Sequence, residues 1–372
     1  MNFRFFMIKQ NISRRLSLAF VSPLLLCLFL STTFAQTNEA PLTSQELVKL
    51  VYQLPAHPEK KEEVINEVRR RGIGFALTDG LRAVVATKSG NDALLRRTLE
   101  EAERRRLNPV THTLPAEAEG RETLEQSRTV TLAATEAMPD FLVRQQITRS
   151  AAYNGTDNWQ QLDRLSLAVS YRASAGEEYK LLTVNGLPPS AEVREGGSYE
   201  QVGGTSSSGE YVSMLADIFK AETQTTFKMV DTDTLRNRRT IIYEYEVKLP
   251  YSHQSIKAKG LTERTVVTAY RGRVWIDREN YRVLRLEDIS VEIPNDFPIS
   301  AASSLIDYDW VTINEKQYLL PIYAEIKLTQ GRGPQAIQTR NEIRFRNYQK
   351  FSTDVKIIED VEGDDEPPPP KP

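Results

Sequence analysis

From about residue 140 to 350 the chain alternates apolar and polar side chains with a period of two. Clear examples are the runs 165–171, 241–249 and 337–348. In each run one face is apolar and the other is polar or charged, which is typical of antiparallel strands that cover a core on one side and meet solvent on the other. The pattern predicts roughly nine to eleven strands in this region.

Two of these strands give the shape of the sheet. Residues 266–276 and 281–293 form a long hairpin, in which the apolar positions change parity after Leu286, so that Ile289 and Val291 follow. The change predicts a β-bulge near Glu287-Asp288. Pro321 inside a later strand predicts an edge or a second bulge. A sheet that bends repeatedly is expected to curl into an incomplete barrel.

Before this region, residues 40–107 follow a helical period. Thr43 and Glu46 have the spacing of a capping box, and a similar start recurs 35 residues later at Thr78. Arginine triplets at 69–71 and 104–106 repeat with the same offset. We therefore predict two helical hairpins packed on each other, either as a partner-docking module or as a small helical cap. The arginines either complement the helix dipoles or contact an anion or a membrane.

Residues 108–139 contain three prolines and no sustained apolar period, which predicts a linker with one short helix near Glu122–Ser127. A glycine- and serine-rich loop then interrupts the strands and leads into a predicted helix over 209–221. Its apolar face, which includes Met214 and Ile218, is expected to cover the sheet. The alternative, a phosphate-binding loop, lacks the required spacing and lysine.

The termini predict export and a flexible end. Residues 1–35 have a basic start, an apolar run and small residues before a cut after Ala35, which indicates a cleaved signal peptide and a periplasmic or secreted protein. An uncleaved anchor is the alternative. Cys27, the only cysteine, would be removed with this segment. Residues 353–372 are acidic and proline-rich, and a disordered tail is expected there.

Candidate chemistry is sparse. His57, His112 and His253 are scattered, and no metal, cofactor or triad spacing is present. Asp307 and Asp309 lie on one strand face as a pair suited to glycoside hydrolysis or, alternatively, to ion pairs with Arg271 or Arg273. Those arginines share a face with Trp275 and Asp277, either as an ion-pair and cation–π ladder on the outer face or as a polar contact for a ligand or partner.

The overall charge favours no nucleic acid. It is −2 for the whole chain and becomes −6 when the signal, with four basic residues and no acid, is removed. Nucleic-acid binding would require a basic surface. These observations together predict a protein that is not an enzyme.

The hairpin motif at 270–286, Tyr-Arg-Gly-Arg-Val-Trp-Ile-Asp followed after a polar turn by Tyr-Arg-Val-Leu-Arg-Leu, resembles the periplasmic lipoprotein-carrier folds of the LolA/LolB and RseB group. As a whole the chain resembles secreted acidobacterial-type proteins of undefined role. The carrier resemblance implies an incomplete β-barrel whose concave apolar side holds acyl chains beneath helices.

The expected fold class is therefore α+β: a curved antiparallel sheet over 140–352 with a covering helix, preceded by an all-α helical-hairpin module. The expected ligand is a lipid, an acyl chain or a lipidated protein, with no cofactor. An envelope partner-binding or stress-sensing role through residues 40–107 is the alternative. The side chains expected to line the cavity are Leu165, Leu167, Val169, Tyr171, Met214, Ile218, Ile241, Tyr243, Tyr245 and Val247.

Overall fold

The computed structural model describes residues 40–109, 113–154, 156, 158–189, 205, 213–258, 263–333 and 335–351. All of them fall in one compact unit. The predicted signal peptide and acidic tail, most of the glycine-rich loop and the start of the predicted 209–221 helix lie outside the described residues.

The first four helices have local reasons to begin and end where they do. Thr43 accepts a hydrogen bond from the backbone N–H of Glu46, whose side chain accepts one from the Thr43 backbone, so the predicted capping box is present. Thr78 and Asp92 cap later helices with their side chains, which accept the backbone N–H of Leu81 and Leu95. The helices are α1 Ser44–Tyr52, α2 Lys61–Arg71, α3 Asp79–Ser89, α4 Ala93–Leu107, α5 Glu117–Glu136 and α6 Ser213–Asp217.

Helices α1 to α4 form the two predicted hairpins and share one apolar cluster. Its members include Leu47 and Val51 of α1, Val68 of α2, and Leu95 and Leu99 of α4, all of them buried. Neither hairpin could bury this surface alone, because each presents only one apolar stripe. We call residues 40–107 the helical module.

Ten strands of the described part of the chain make one antiparallel sheet in the order β3-β2-β1-β12-β11-β10-β9-β8-β5-β4, and β6 pairs with β7 in a small second sheet. The strands are β1 Phe141–Tyr153, β2 Gln160–Arg172, β3 Gly176–Val184, β4 Thr226–Leu235, β5 Arg238–Val247, β6 Ser255–Ala258, β7 Arg264–Val267, β8 Ala269–Asp277, β9 Val283–Val291, β10 Ile299–Ile313, β11 Lys316–Gln330 and β12 Ile337–Lys350. The large sheet is curved and does not close into a barrel, so the predicted α+β class is confirmed.

One side of this sheet, which we call the core face, carries the main apolar cluster of the protein. The cluster runs from Leu167 on β2 to Val247 on β5. Helix α6 adds Leu215 to it, and the residues just after this helix add Ile218 and Phe219. The covering role predicted for this segment is therefore confirmed for its described part. We call the opposite side of the sheet the outer face.

The predicted linker contains much more helix than expected. Helix α5 has 20 residues, whereas the sequence predicts one short helix over Glu122–Ser127. The reason is that its buried positions are small or polar, so no apolar period marks them: Gly120, Thr123, Ser127 and Thr131. These residues recur at helical spacing and allow a close approach to the sheet, where the Tyr243 hydroxyl donates to the Gly120 carbonyl at 2.7 Å.

Several strand predictions need correction. The single strand expected over 266–276 is two strands in different sheets, because β7 pairs with β6, in a ladder that the Thr268 N–H extends by donating to the Gln254 carbonyl, whereas β8 pairs with β5 and β9. Edge strand β4 is absent from the prediction. The bulge expected near Glu287-Asp288 lies at Leu284, where the β8–β9 register skips one residue. The irregularity expected at Pro321 is confirmed beside it, between Pro321 and Tyr323.

Candidate functional site

Eight of the ten side chains predicted to line a cavity lie on the core face of the sheet, and the other two, Met214 and Ile218, belong to the α6 segment that covers it. Eight of the ten are buried members of the main cluster, and Tyr171 and Met214 pack against it half-buried. Leu167, Val169, Ile241 and Val247 have no solvent-exposed surface at all. The sheet residues of the predicted set are thus a packed layer beneath α5 and α6, and Met214 and Ile218 pack onto that layer from the covering segment.

An open cleft of the described residues lies elsewhere, between the helical module and the outer face. Its volume is about 920 Å³. One wall comes from the turn before α2, from α2 and from the start of α4, with Glu62 and Arg69 among its residues. The other wall comes mainly from β4, β5 and β8 to β11, and it includes a run of small residues at Ala301–Ser304. Of the ten predicted cavity residues, Tyr245 alone lines this cleft.

Charged side chains hold the helical module on the outer face. Arg104 of α4 forms a bidentate pair with Asp233 of β4, with N–O distances of 2.9 and 3.0 Å. The neighbouring Arg105 binds Asp231 on the same strand. Arg69 of α2 reaches Glu287 of β9 at 3.1 Å. The Asp233 side chain is fully buried, so these pairs are shielded from solvent.

Arg285 on β9 is the centre of this charged layer. Its guanidinium binds both carboxylate oxygens of Asp307, at 2.7 and 3.0 Å, and lies 3.8 Å from Glu101 of α4 and over the Trp275 ring. Burial alone would raise the pKa of Asp307, but Arg285 holds it below its usual value. The pKa of Glu101 is raised, mainly by burial and to a smaller extent by repulsion from Asp233 and Glu287.

The arginine triplets therefore have a role that the sequence alone did not reveal. They do lie in the last turns of α2 and α4, as the dipole argument expects. Every one of the six nevertheless has a carboxylate partner within the described residues, and three of those partners are on the sheet. One sequence pattern could have identified two of these partners. Asp231 and Asp233 alternate with threonines at the period of a strand, so both carboxylates lie on the same face of the sheet.

A second buried polar group lies where the core face meets the cleft. Asp288 of β9 accepts hydrogen bonds from the Tyr245 hydroxyl at 3.1 Å and the Gln254 amide at 2.9 Å. The same amide donates to Ser290, and the single proton of the Tyr245 hydroxyl is shared between Asp288 and the Glu287 carbonyl, which lies 2.9 Å from the hydroxyl oxygen. Burial raises the pKa of Asp288 to about 6, although both hydrogen bonds act in the opposite direction.

Replacing Asp288 with asparagine should change how stability depends on pH. In the folded protein Asp288 keeps its proton until about pH 6, whereas in the unfolded chain it ionises near pH 3.8. The stabilisation that the protonated Asp288 gives the folded state is therefore fully present below pH 3.8 and is lost as the pH rises towards 6. A shift of about two pKa units corresponds to roughly 3 kcal/mol. Asp288→Asn should therefore gain up to about that much over the wild type between pH 4 and pH 7. Urea unfolding followed by circular dichroism measures the difference.

The control for this experiment is Asp296→Asn. Asp296 is exposed, and the hydrogen bond that it accepts from Arg264 lowers its pKa. Its contribution to the stability of the folded state is therefore lost as the pH falls, so the pH dependence has the opposite sign to that of Asp288. A stability difference between Asp288→Asn and the wild type that is constant from pH 4 to pH 7 would contradict the prediction.

The predicted chemical candidates occupy structural positions. Asp307 and Asp309 both contact Arg236, at 3.7 and 3.4 Å, and Asp307 binds Arg285, so the expected partners Arg271 and Arg273 are wrong. Arg273 instead pairs with Glu244 across the β8–β5 ladder at 2.8 Å, and Trp275 is fully buried.

Few other described side chains could form a catalytic or metal site. His57 pairs with Glu59, and His112 lies outside the described residues. No group of three or more side chains suited to a metal ion occurs among the residues that the structure describes. Within the same residues, none of the helices has the length and apolar character needed to cross a membrane.

Comparisons with known proteins find only distant structural similarity. No family model matches the chain, and no curated protein matches it. A DUF1329 family protein from Desulfovibrio piger is 7% identical, with a TM-score of 0.27 over 63% of this chain and 95% of that chain. MucB, in complex with MucA(peri), is 7% identical, with a TM-score of 0.17 over 60% of this chain and 94% of its own. The MucA/MucB complex of Pseudomonas aeruginosa gives the same score at 6% identity and the same coverage. The fold assignment therefore rests on the strand order and register of the sheet, and the likeness to the LolA/LolB and RseB group stays a prediction.

Proposed function

We propose that this chain is an exported binding protein without a catalytic role, and that it binds a protein partner in the cleft between the helical module and the outer face. The observation that carries the proposal is the cleft itself, with its volume of about 920 Å³ and walls from two different parts of the fold. Binding sites occur preferentially where two substructures meet.

The chemistry of the cleft favours a polypeptide segment. Its charged groups largely neutralise each other, as in the pairs Lys61–Asp92 and Arg271–Glu62, both at 3.4 Å. Apolar side chains, among them Ile289, alternate with these pairs, and small residues line one wall. Such a mixture of polar and apolar surface is typical of non-obligate protein interfaces.

Site-specific crosslinking tests this proposal. A photo-crosslinking amino acid at Ala301, which is exposed and lines the cleft, should give a defined adduct with an envelope protein in the producing cell. The same residue at Lys180, exposed on edge strand β3, should give none. Ser303→Trp, which fills the cleft, should then weaken binding of the purified partner by about tenfold or more, and Lys180→Trp should leave it unchanged. Equal adducts from both positions, or unchanged binding to the filled cleft, would refute the proposal.

A second candidate is an acyl chain, bound as a lipid or as part of a lipidated protein beneath α6. It is favoured by the continuous apolar layer of the core face and by the shortness of its cover, since α6 has five residues. The ten predicted side chains, including Met214 and Ile218, would line the space that opens when α6 lifts. Mass spectrometry of solvent extracts and uptake of a fluorescent fatty acid test it. A protein that carries no lipid and takes up no fatty acid rules it out.

A further inference from the structure

Helix α4 presents one charged face to the sheet. Arg97, Glu101, Arg104 and Arg105 stand at positions i, i+4, i+7 and i+8, which lie on the same side of a helix. We call these four residues the arginine row. Each member meets an oppositely charged residue of the outer face: Glu325 at 3.6 Å, Arg285 at 3.8 Å, Asp233 at 2.9 Å and Asp231.

The two surfaces are complementary in charge. The arginine row has three arginines and one glutamate, a net charge of +2, and its four partners on the sheet have three carboxylates and one arginine, a net charge of −2. Complementarity of this kind selects a partner and a register more than it adds affinity. The sheet surface is therefore specific for a helix with this spacing of charges.

No apolar cluster joins the helical module to the outer face in the described residues. The module's cluster has members only from its own helices and turns. The cluster on the outer face, around Ile242, Trp275 and Leu284, has members only from the sheet. Ion pairs of this kind recover little more than the cost of removing them from water. The main apolar cost of undocking the module is therefore exposure of the buried cluster around Trp275, and a module docked from another molecule would cover that cluster again.

The connection between the two parts is long enough to allow exchange. Helix α4 ends at Leu107 and α5 begins at Glu117, which leaves nine residues between them. Nine extended residues span about 30 Å. A module that leaves its own sheet can therefore reach a neighbouring molecule.

We propose that the outer face is a docking surface for the arginine row, and that the α4 helix of a second copy of this chain can occupy it in place of the chain's own. Exchange in both directions gives a dimer in which each sheet holds the partner's helical module. This inference does not depend on what occupies the cleft.

Charge reversal on the two sides tests the exchange. Arg104→Glu with Arg105→Glu makes a chain whose module is repelled by its own sheet. Asp231→Arg with Asp233→Arg makes a chain whose sheet repels its own module. Each should be a monomer with an enlarged hydrodynamic radius, and a 1:1 mixture should double in mass by light scattering, because each module now fits the other chain's sheet.

Two controls make the mixture decisive. The chain with all four substitutions should be a compact monomer, since its charges match again in the reverse sense. Arg106→Glu should also stay compact and monomeric, because Arg106 pairs with Glu103 of its own helix at 2.7 Å. A mixture that stays monomeric while the fourfold variant is compact overturns the proposal.

A second measurement applies if the reversed chains do not fold. Chains carrying Arg97→Cys and Glu325→Cys, mixed and oxidised, should form a disulfide between residues 97 and 325 of different molecules, identified by mass spectrometry of the linked peptides. A mixture of Arg97→Cys with Lys180→Cys should form far less. Equal yields from the two mixtures show random collision and overturn the proposal.

Discussion

Arg285→Met should destabilise the protein by about 3–5 kcal/mol, measured as the loss in free energy of unfolding in urea. The substitution keeps the aliphatic volume but removes the charge that holds Asp307 on both oxygens and faces Glu101. Both carboxylates are nearly buried, with side chains 14% and 6% exposed. Asp307 would keep only its longer contact with Arg236, at 3.7 Å. A buried carboxylate that loses its main cation loses far more than the pair gained, because it cannot regain its hydration.

The design includes its own controls. Arg271→Met removes an arginine from an exposed pair with Glu62 and should cost less than about 1 kcal/mol. Adding Asp307→Leu to Arg285→Met should recover most of the loss, because it removes the stranded charge. If Arg285→Met lowered the free energy of unfolding no more than Arg271→Met does, the charged layer around Arg285 would be accessible to water, which would contradict the prediction.

The sequence predicts the parts of this fold whose signals are local. The capping box at Thr43 and the N-cap residue Thr78 identify helix starts, and the period of two identifies most of the strands. Helix α5 escapes prediction because its buried face is made of residues such as Gly120 and Ser127, which carry no hydrophobic signal. Packing against the sheet, not amphipathicity, selects that helix.

The candidate site escapes prediction for a different reason. Charged side chains are assumed to face water, yet Glu287 and Asp288 are adjacent and both are buried, one towards the module and one towards the core. The bulge therefore lies at Leu284, three residues before the position that the change of parity predicts. The partner of Arg104 is 129 residues away in the sequence, and the helix dipole already offers a local explanation for the arginine. Only the three-dimensional structure shows that Arg104 forms an ion pair with Asp233 as well as complementing the helix dipole.

Gly272→Ala is the second substitution with a large expected effect, a loss of about 3 kcal/mol or more in the free energy of unfolding. A Cβ atom at Gly272 would overlap the Glu287 carbonyl oxygen and lie 2.8 Å from the Tyr245 hydroxyl. The obstacle is the backbone of the neighbouring strand, so β8 and β9 must separate, and the hydrogen bond from Tyr245 to Glu287 is lost with them. Gly80→Ala is the matched control. Its nearest neighbour would be 3.9 Å away, and it should leave stability unchanged or slightly raised.

Gly272→Ala should also loosen the helical module, because Glu287 contacts both the core face of the sheet and the module. Its carbonyl accepts the Tyr245 hydroxyl on the core face, while its carboxylate holds Arg69 of α2 at 3.1 Å. Moving the Glu287 backbone to make room for a methyl group shifts that carboxylate away from Arg69. Hydrogen exchange should therefore accelerate in α2 of Gly272→Ala, under conditions in which the sheet remains folded. Arg69→Met should accelerate it to a similar extent without the loss at the β8–β9 ladder. If exchange in α2 were unchanged by Gly272→Ala, Glu287 would not couple the core to the module.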